Sequence, residues 1–197
     1  MTSAFKIIEL QQDTDEWLQW RWSGLGSSDA PTIMKQNPWK SRGDLFEERL
    51  AQKTPVQNRA MLEGKKSEPL ARKSYIEKVQ THAKPACLQS EAFPFMLASL
   101  DGINLESGKV VEIKCGKSSY QRSLGRGGFP PPYYIAQLQH ILAVTGFEQI
   151  DYFSWRPDQP PLLRSIDRDE EFINQLVDNE ASFWKRLLEL KSELDTI

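Results

Sequence analysis

An Asp, a short linker and then Glu-x-Lys inside an apolar run could put three charged groups in one place. Asp101 is followed by Gly102, and Glu112 and Lys114 sit within Val110-Val111-Glu112-Ile113-Lys114. In a β-strand side chains alternate faces, so Glu112 and Lys114 share one face while Val111, Ile113 and Cys115 take the other. Gly102, Asn104, Ser107 and Gly108 favour turns, which predicts a hairpin loop over 102–108. That hairpin brings Asp101 back beside Glu112. Two carboxylates side by side repel unless a cation binds between them. Hard oxygen ligands select Mg²⁺ or Mn²⁺, and a lysine beside such an ion can hold or polarise a water. These groups suit hydrolysis of a phosphodiester. The plain alternative is a solvated Glu–Lys pair on an edge strand, and the short motif alone does not decide between the two.

The elements around these residues can be outlined from periodicity and punctuation. Phe5 to Leu10 is a short apolar run. Asp13-Thr14-Asp15-Glu16 supplies a cap for a helix over Trp17 to Trp22, and Ser27-Ser28-Asp29 caps a short helix over Ala30 to Lys35. Gly43-Asp44 begins a third helix with Leu45, Phe46 and Leu50 inward. Residues 52–58 form a polar loop, and a long helix runs from Arg59 to Val79. Strands are expected at 92–97, 110–115 and 148–155, with Leu88 to Ser90 before them and Leu162 to Ile166 last. Glycines at 125, 127 and 128 and prolines at 130–132 break the chain before a helix from Tyr133 to Thr145. Asp169 to Leu194 closes the chain as an amphipathic helix with Phe172, Leu176, Phe183, Leu187, Leu190 and Leu194 on one stripe. Helices flanking a central mixed sheet make an α/β/α sandwich.

At 197 residues and 39% hydrophobic, the chain suits one globular domain over 1–197. No apolar run approaches the ~20 residues of a membrane span, and the first residues lack a signal-peptide core, so no membrane is expected. Cys87 and Cys115 are far apart without ligand spacing, which fits free thiols in a reducing cytoplasm. The net charge of −2 is unevenly spread. Residues 151–197 hold 11 Asp/Glu against 6 Lys/Arg, and residues 1–150 hold 16 against 19. The first part is therefore basic, and affinity for a polyanion depends on the local face rather than on the sum. Most of the six tryptophans are expected in the core, with Trp17 and Trp39 nearest any nucleic acid.

Five blocks, in order over residues 16–155, carry a family resemblance. They are Glu16 to Arg21 with Gly24 and Ser27-Ser28-Asp29-Ala30; Gly64-Lys65-Lys66-Ser67-Glu68; Phe93 to Gly102; Val111 to Cys115; and Pro131 to His140. Together they resemble the lambda-exonuclease-like (YqaJ-type viral recombinase) branch of the PD-(D/E)xK nucleases. Leu100 departs from the pattern, standing where the superfamily name has Pro.

The resemblance implies a restriction-endonuclease-like fold and a Mg²⁺-dependent exonuclease, with Mn²⁺ as substitute and two ions at the site. Such an enzyme digests one strand of a DNA duplex from a 5′-phosphorylated end and leaves a 3′ single strand for recombination. It implies Asp101 bridging the metals, Glu112 and the Ile113 carbonyl on the hydrolytic one, and Lys114 orienting the attacking water. Glu68 joins the metal site, with Glu63 the nearest decoy and a surface helix glutamate the plain alternative. Gln137 matches the active-site glutamine; Gln139, about 200° further round a helix, should face elsewhere. Arg21 and Ser28, or Ser27 in its place, would hold the terminal 5′-phosphate. An ordinary salt bridge of Arg21 with Glu47 or Glu48 is the alternative. Met61 and Leu62 occupy the position of a wedge at the duplex end, or else pack in the core. His82 and His140 receive no role. The resemblance also implies a homotrimeric ring on double-stranded DNA ends and a single-strand-annealing partner in a bacterial or phage setting; the uneven charge would fit a basic channel in such a ring, with Lys65, Lys66 and Arg126 as candidates. Rival readings are an endonuclease on the same fold and a non-catalytic DNA-end-binding protein.

Overall fold

Apolar side chains on both faces of one sheet decide the architecture. The computed structural model describes residues 4–54 and 59–194. In chain order the elements are β1 (Phe5–Ile8), α1 (Asp15–Trp22), β2 (Leu25–Gly26), α2 (Ala30–Ile33), α3 (Arg42–Leu50), α4 (Arg59–Val79), β3 (Lys84–Ser90), β4 (Met96–Asn104) and β5 (Lys109–Lys114). They continue with α5 (Lys117–Leu124), α6 (Ile135–Thr145), β6 (Gln149–Ser154), β7 (Leu162–Asp167) and α7 (Glu170–Leu194). The sheet runs β1-β3-β4-β5-β6-β7, with β2 pairing with β4. Pairing is antiparallel except at β5–β6 and β2–β4.

On one face Leu88, Ala98, Leu100, Val110 and Tyr152 pack beneath Leu138, Ile141 and Leu142 of α6 and Ile173 of α7. On the other, Val111, Ile113 and Phe153 pack against Ala71 and Tyr75 of α4. Each face loses water only when covered by a helix, which gives the expected α/β/α sandwich. A buried hydrogen bond, His140 Nδ1 to Glu180 Oε1 at 2.8 Å, ties α6 to α7, and His140 Nε2 lies 3.0 Å from the Leu97 carbonyl of β4. Among the described residues no helix is long and apolar enough to cross a membrane.

Several boundaries differ from the sequence reading. The strand expected at 92–97 is displaced: Phe93 and Pro94 lie in the turn before β4, and β4 itself continues through Asn104. The hairpin loop therefore shrinks to 105–108, because cross-strand pairing with β5 overrides the turn preference of Gly102 and Asn104. Helix α2 ends at Ile33 and lacks a side-chain cap, since Asp29 is turned to the Gly26 amide. Helix α3 is capped by Ser41 in a reciprocal box with Asp44. Helix α5 and the two-residue β2 were not anticipated; α5 is short and polar, and β2 exists only through its partner β4. Leu194 is exposed although it continues the apolar stripe of α7. None of the six tryptophans is fully buried, and Trp39 is 66% exposed. Of the polar loop at 52–58, positions 55–58 lie outside the described residues.

Candidate active site

The site forms where the β4–β5 ladder stops. The last paired residues are Gly102 and Val111. One step beyond, the Asp101 side chain takes over from the backbone: its Oδ2 accepts the Ile113 amide at 2.7 Å. On its other edge β4 pairs with β3 as Lys84↔Ile103 and then Ala86↔Leu100, so one extra β4 residue is accommodated opposite Pro85. Proline has no N–H to offer the ladder, and a bulge is where that lack is tolerated. The bulge re-phases the strand, so Leu100 before it and Ile103 after it both feed the same core. Gly102 is required there: a Cβ would lie 2.9 Å from Val111 Cγ1 and 3.0 Å from Ala83 Cβ.

Strand β5 lies inside the sheet, between β4 and β6, not at an edge. Its alternation places Glu112 and Lys114 together: Lys114 Nζ is 2.5 Å from Glu112 Oε1. Gln137, on the first turn of α6, donates to the same oxygen at 2.7 Å. Gln139 points away and bonds the Asp167 carbonyl and the Asp169 amide, as the 200° step requires. Lys114 also lies 4.8 Å over the Tyr134 ring. Burial alone would lower the lysine, but Glu112 and its neighbours outweigh it and raise it, so the ammonium stays charged.

Glu68 faces the same cleft from α4 and is ion-paired with Arg72, one turn on. Arg72 Nε also bonds the Asp101 carbonyl at 2.5 Å, so one guanidinium links the helix carboxylate to the bulge. Burial raises Glu68, against the pull of Arg72. Asp101 is pushed well above the usual carboxylate range by burial, and further by Glu112 and Glu68. Among the described residues no three His, Cys, Asp or Glu side chains are already gathered around one point. Arg72, Lys114 and Gln137 engage Glu68 and Glu112 instead. The donor set nonetheless fits a hard divalent cation. It is all oxygen, and its half-buried Asp101, crowded by Glu112 and Glu68, carries a charge penalty that such an ion would relieve. Asp101, Glu112, Glu68 and Ile113 all line one cleft of about 660 Å³.

A side chamber opens from the carboxylates toward α1. It is lined by Trp17, Arg21, Ser27, Ser28, Lys65 and Gln137 and shares Asp101, Glu112 and Glu68 with the main cleft. Arg21 Nη2 bonds Ser28 Oγ at 3.1 Å, and its guanidinium lies 4.7 Å over the Trp17 ring. Ser28 is exposed and Ser27 buried, so Ser28 is the hydroxyl that pairs with Arg21. Among the described residues Arg21 makes no ion pair with Glu47 or Glu48; Glu48 is taken by Lys40. The buried ion pair is Arg49 with Asp29. Arg49 Nη1 bonds the Arg21 carbonyl at 2.7 Å, and Asp29 accepts the Gly26 amide at 2.9 Å, so this pair sets the loop that carries Ser28.

Met61 is 53% exposed and lines the main cleft; Leu62 is 44% exposed and does not line it. Neither packs as a core residue. Glu63 points outward to Arg59. Lys65 reaches Asp13 at 2.6 Å, so its charge is already engaged. His140, given no role from sequence, is fully buried. Sequence reasoning missed Arg72, Arg49, Asp29 and Tyr134. Of these, only Arg72 carried a local signal, an i,i+4 spacing from Glu68. A separate depression of about 720 Å³ along β5, β6 and β7, lined by Ser107, Gln149, Asp151 and Arg168 among others, contains none of these groups.

Residues 16–148 match the model of the YqaJ-like viral recombinase domain. Over 181 residues the chain is 30% identical to the protein YqaJ of Bacillus subtilis (strain 168), covering 88% of this chain and 56% of that protein. The chain thus spans about half the length of that relative. The fold is similar to the alkaline exonuclease LHK-Exo of Laribacter hongkongensis, with a TM-score of 0.83 and 26% identity over 93% of this chain and 97% of that one. A phage-related exonuclease of Haemophilus somnus 129PT shares the fold at a TM-score of 0.65 and 14% identity, covering 87% of this chain and 96% of that one.

Proposed function

The chain belongs to the YqaJ-like viral recombinase domain family, and from that membership and the cleft's geometry we propose that it is a metal-dependent DNA exonuclease. It removes nucleotides from the 5′-phosphorylated strand of a duplex end and leaves a 3′ single strand for recombination. One observation carries this reading: the carboxylates Asp101, Glu112 and Glu68 lie at the junction of two chambers, one holding Lys114 and the other the Arg21–Ser28 pair. The likeness to the alkaline exonuclease LHK-Exo supports the nuclease part of it.

Asp101, Glu112, Glu68 and the Ile113 carbonyl are the groups that would hold Mg²⁺ or Mn²⁺, as one or two ions. Such a cation supplies Lewis-acid charge stabilisation and a more acidic bound water. The chain's own residues do the rest. Arg21 and Ser28 grip the terminal phosphate through a guanidinium fork and a hydroxyl. That grip sets which phosphodiester reaches the carboxylates, which is catalysis by positioning. Lys114, anchored by Glu112 and held over Tyr134, offers its ammonium to charge developing on the scissile phosphate. Gln137 orients Glu112 from α6. The exposed Met61, with Leu62 beside it, serves as a wedge that keeps the end frayed. A homotrimeric ring would explain how the enzyme stays on its duplex, and a single-strand-annealing protein would receive the 3′ strand.

The test is digestion of a linear duplex bearing one 5′-phosphorylated and one 5′-hydroxyl end, beside closed-circular DNA, with Mg²⁺. Loss of the phosphorylated strand alone, with the circle intact, is expected. Cutting of the circle would make the protein an endonuclease, and binding without cutting would make it a non-catalytic end binder.

A further inference from the structure

We propose that Trp39, Tyr133 and Arg122 form a stacking platform for an unpaired base of the strand being cut, on the 3′ side of its scissile phosphate. The inference rests on the nuclease reading of the cleft. Trp39 is the most exposed large hydrophobic residue described, at 66%, yet it is not isolated. Its ring meets Tyr133 edge-on, with centroids 4.8 Å apart and planes at 75°. The Arg122 guanidinium lies 5.4 Å from the Trp39 ring and 5.8 Å from the Tyr133 ring, and its Nη1 bonds the Tyr133 hydroxyl at 2.9 Å. Arg122 makes no ion pair among the described residues, so its charge remains available to a phosphate. Tyr133 in turn packs on Tyr134 at 4.6 Å, and Tyr134 lies under Lys114. A continuous aromatic row thus runs from the solvent to the lysine of the site.

Position decides what the platform receives. All three residues line the main cleft, which meets the Arg21–Ser28 chamber at Lys65, Glu68, Asp101 and Glu112. A strand whose terminal phosphate sits at Arg21 and whose next phosphate sits at the carboxylates must leave through the main cleft. There it meets an indole face backed by a cation, the chemistry that recognises any base by its π-face, with little regard for sequence. A paired base hides that face in its stack, so the platform favours an unpaired one.

The experiment measures binding with Ca²⁺ in place of Mg²⁺, using a 5′-phosphorylated oligothymidylate and the same oligonucleotide with abasic residues at its second to fourth positions. Wild type should bind the intact strand more tightly. Trp39→Ala should lose at least about fivefold on the intact strand, the low end of one base–aromatic stack, and nothing on the abasic one. Trp39→Phe should recover most of the loss. Equal loss on both strands, or none on either, overturns the platform. Wild type that discriminates the two strands while cutting no DNA rejects the nuclease reading and keeps the platform. Wild type that cuts DNA and binds both strands equally rejects the platform alone.

Discussion

The Asp101 carboxylate and the Ile113 amide lie 2.7 Å apart across the point where the β4–β5 ladder ends. A side chain thus completes a strand pairing that the backbone has given up. In the proposed reaction the same residue would also serve the metal site, and the two roles can be separated by substitution.

Asp101→Asn keeps an acceptor for the Ile113 amide and removes the charge. It should fold with a Tm close to wild type and lose at least about a hundredfold in cleavage rate. Asp101→Ala also strands a buried N–H, at a cost of about 1–3 kcal/mol. Thermal melts of both variants beside a gel assay check this; an active Asn variant would falsify the metal role of Asp101.

Lys114→Ala should abolish turnover while leaving DNA binding in Ca²⁺ measurable, because in the proposed reaction the ammonium would act on charge that grows in the transition state. A variant that cuts within about threefold of wild type would show that the lysine only balances Glu112.

Arg21→Ala should erase the preference for 5′-phosphorylated over 5′-hydroxyl ends, on the order of 10- to 100-fold for a charge-assisted phosphate contact. Ser28→Ala should lose less. Comparable loss on both kinds of end would mark Arg21 as a structural residue of the α1 loop.

Asp29 offers a pH test. Burial alone would raise its carboxyl, but Arg49, Arg21 and the Gly26 amide hold it below the ordinary range. A depressed carboxyl stabilises the fold above its unfolded pKa, about 3.9, and that stability is lost as pH falls through the folded value. Asp29→Asn should lower stability by about 3–5 kcal/mol near neutral pH, since Arg49 is left buried and unpaired. It should also lack this component of the acid limb. Denaturant melts across pH decide it; a neutral-pH stability equal to wild type would reject the pair's role.

A homotrimer predicts a mass near three times 22.7 kDa by light scattering coupled to size exclusion. A monomer or dimer at micromolar concentration would remove the ring, and any processivity would then need another cause.

The residues themselves determined a good deal. Alternation along 110–114 predicts that Glu112 and Lys114 share a face, and their ion pair bears this out. The Gly and Pro breaks before 133 and the periodicity of 59–79 placed α6 and α4 close to where they lie. These features are local, set by the periods of strand and helix and by which residues tolerate a turn. Tertiary structure alone decided the remainder. The bulge opposite Pro85, the length of β4, the meeting of Gln137 with Glu112 and of Arg72 with Asp101, and the Arg49–Asp29 pair beneath Arg21 join residues 20 to 29 positions apart or on separate strands. Nothing in a short window encodes them, because each exists only once the sheet has closed between its helices. There, buried carboxylates and guanidiniums must find partners wherever the packed chain brings them within reach.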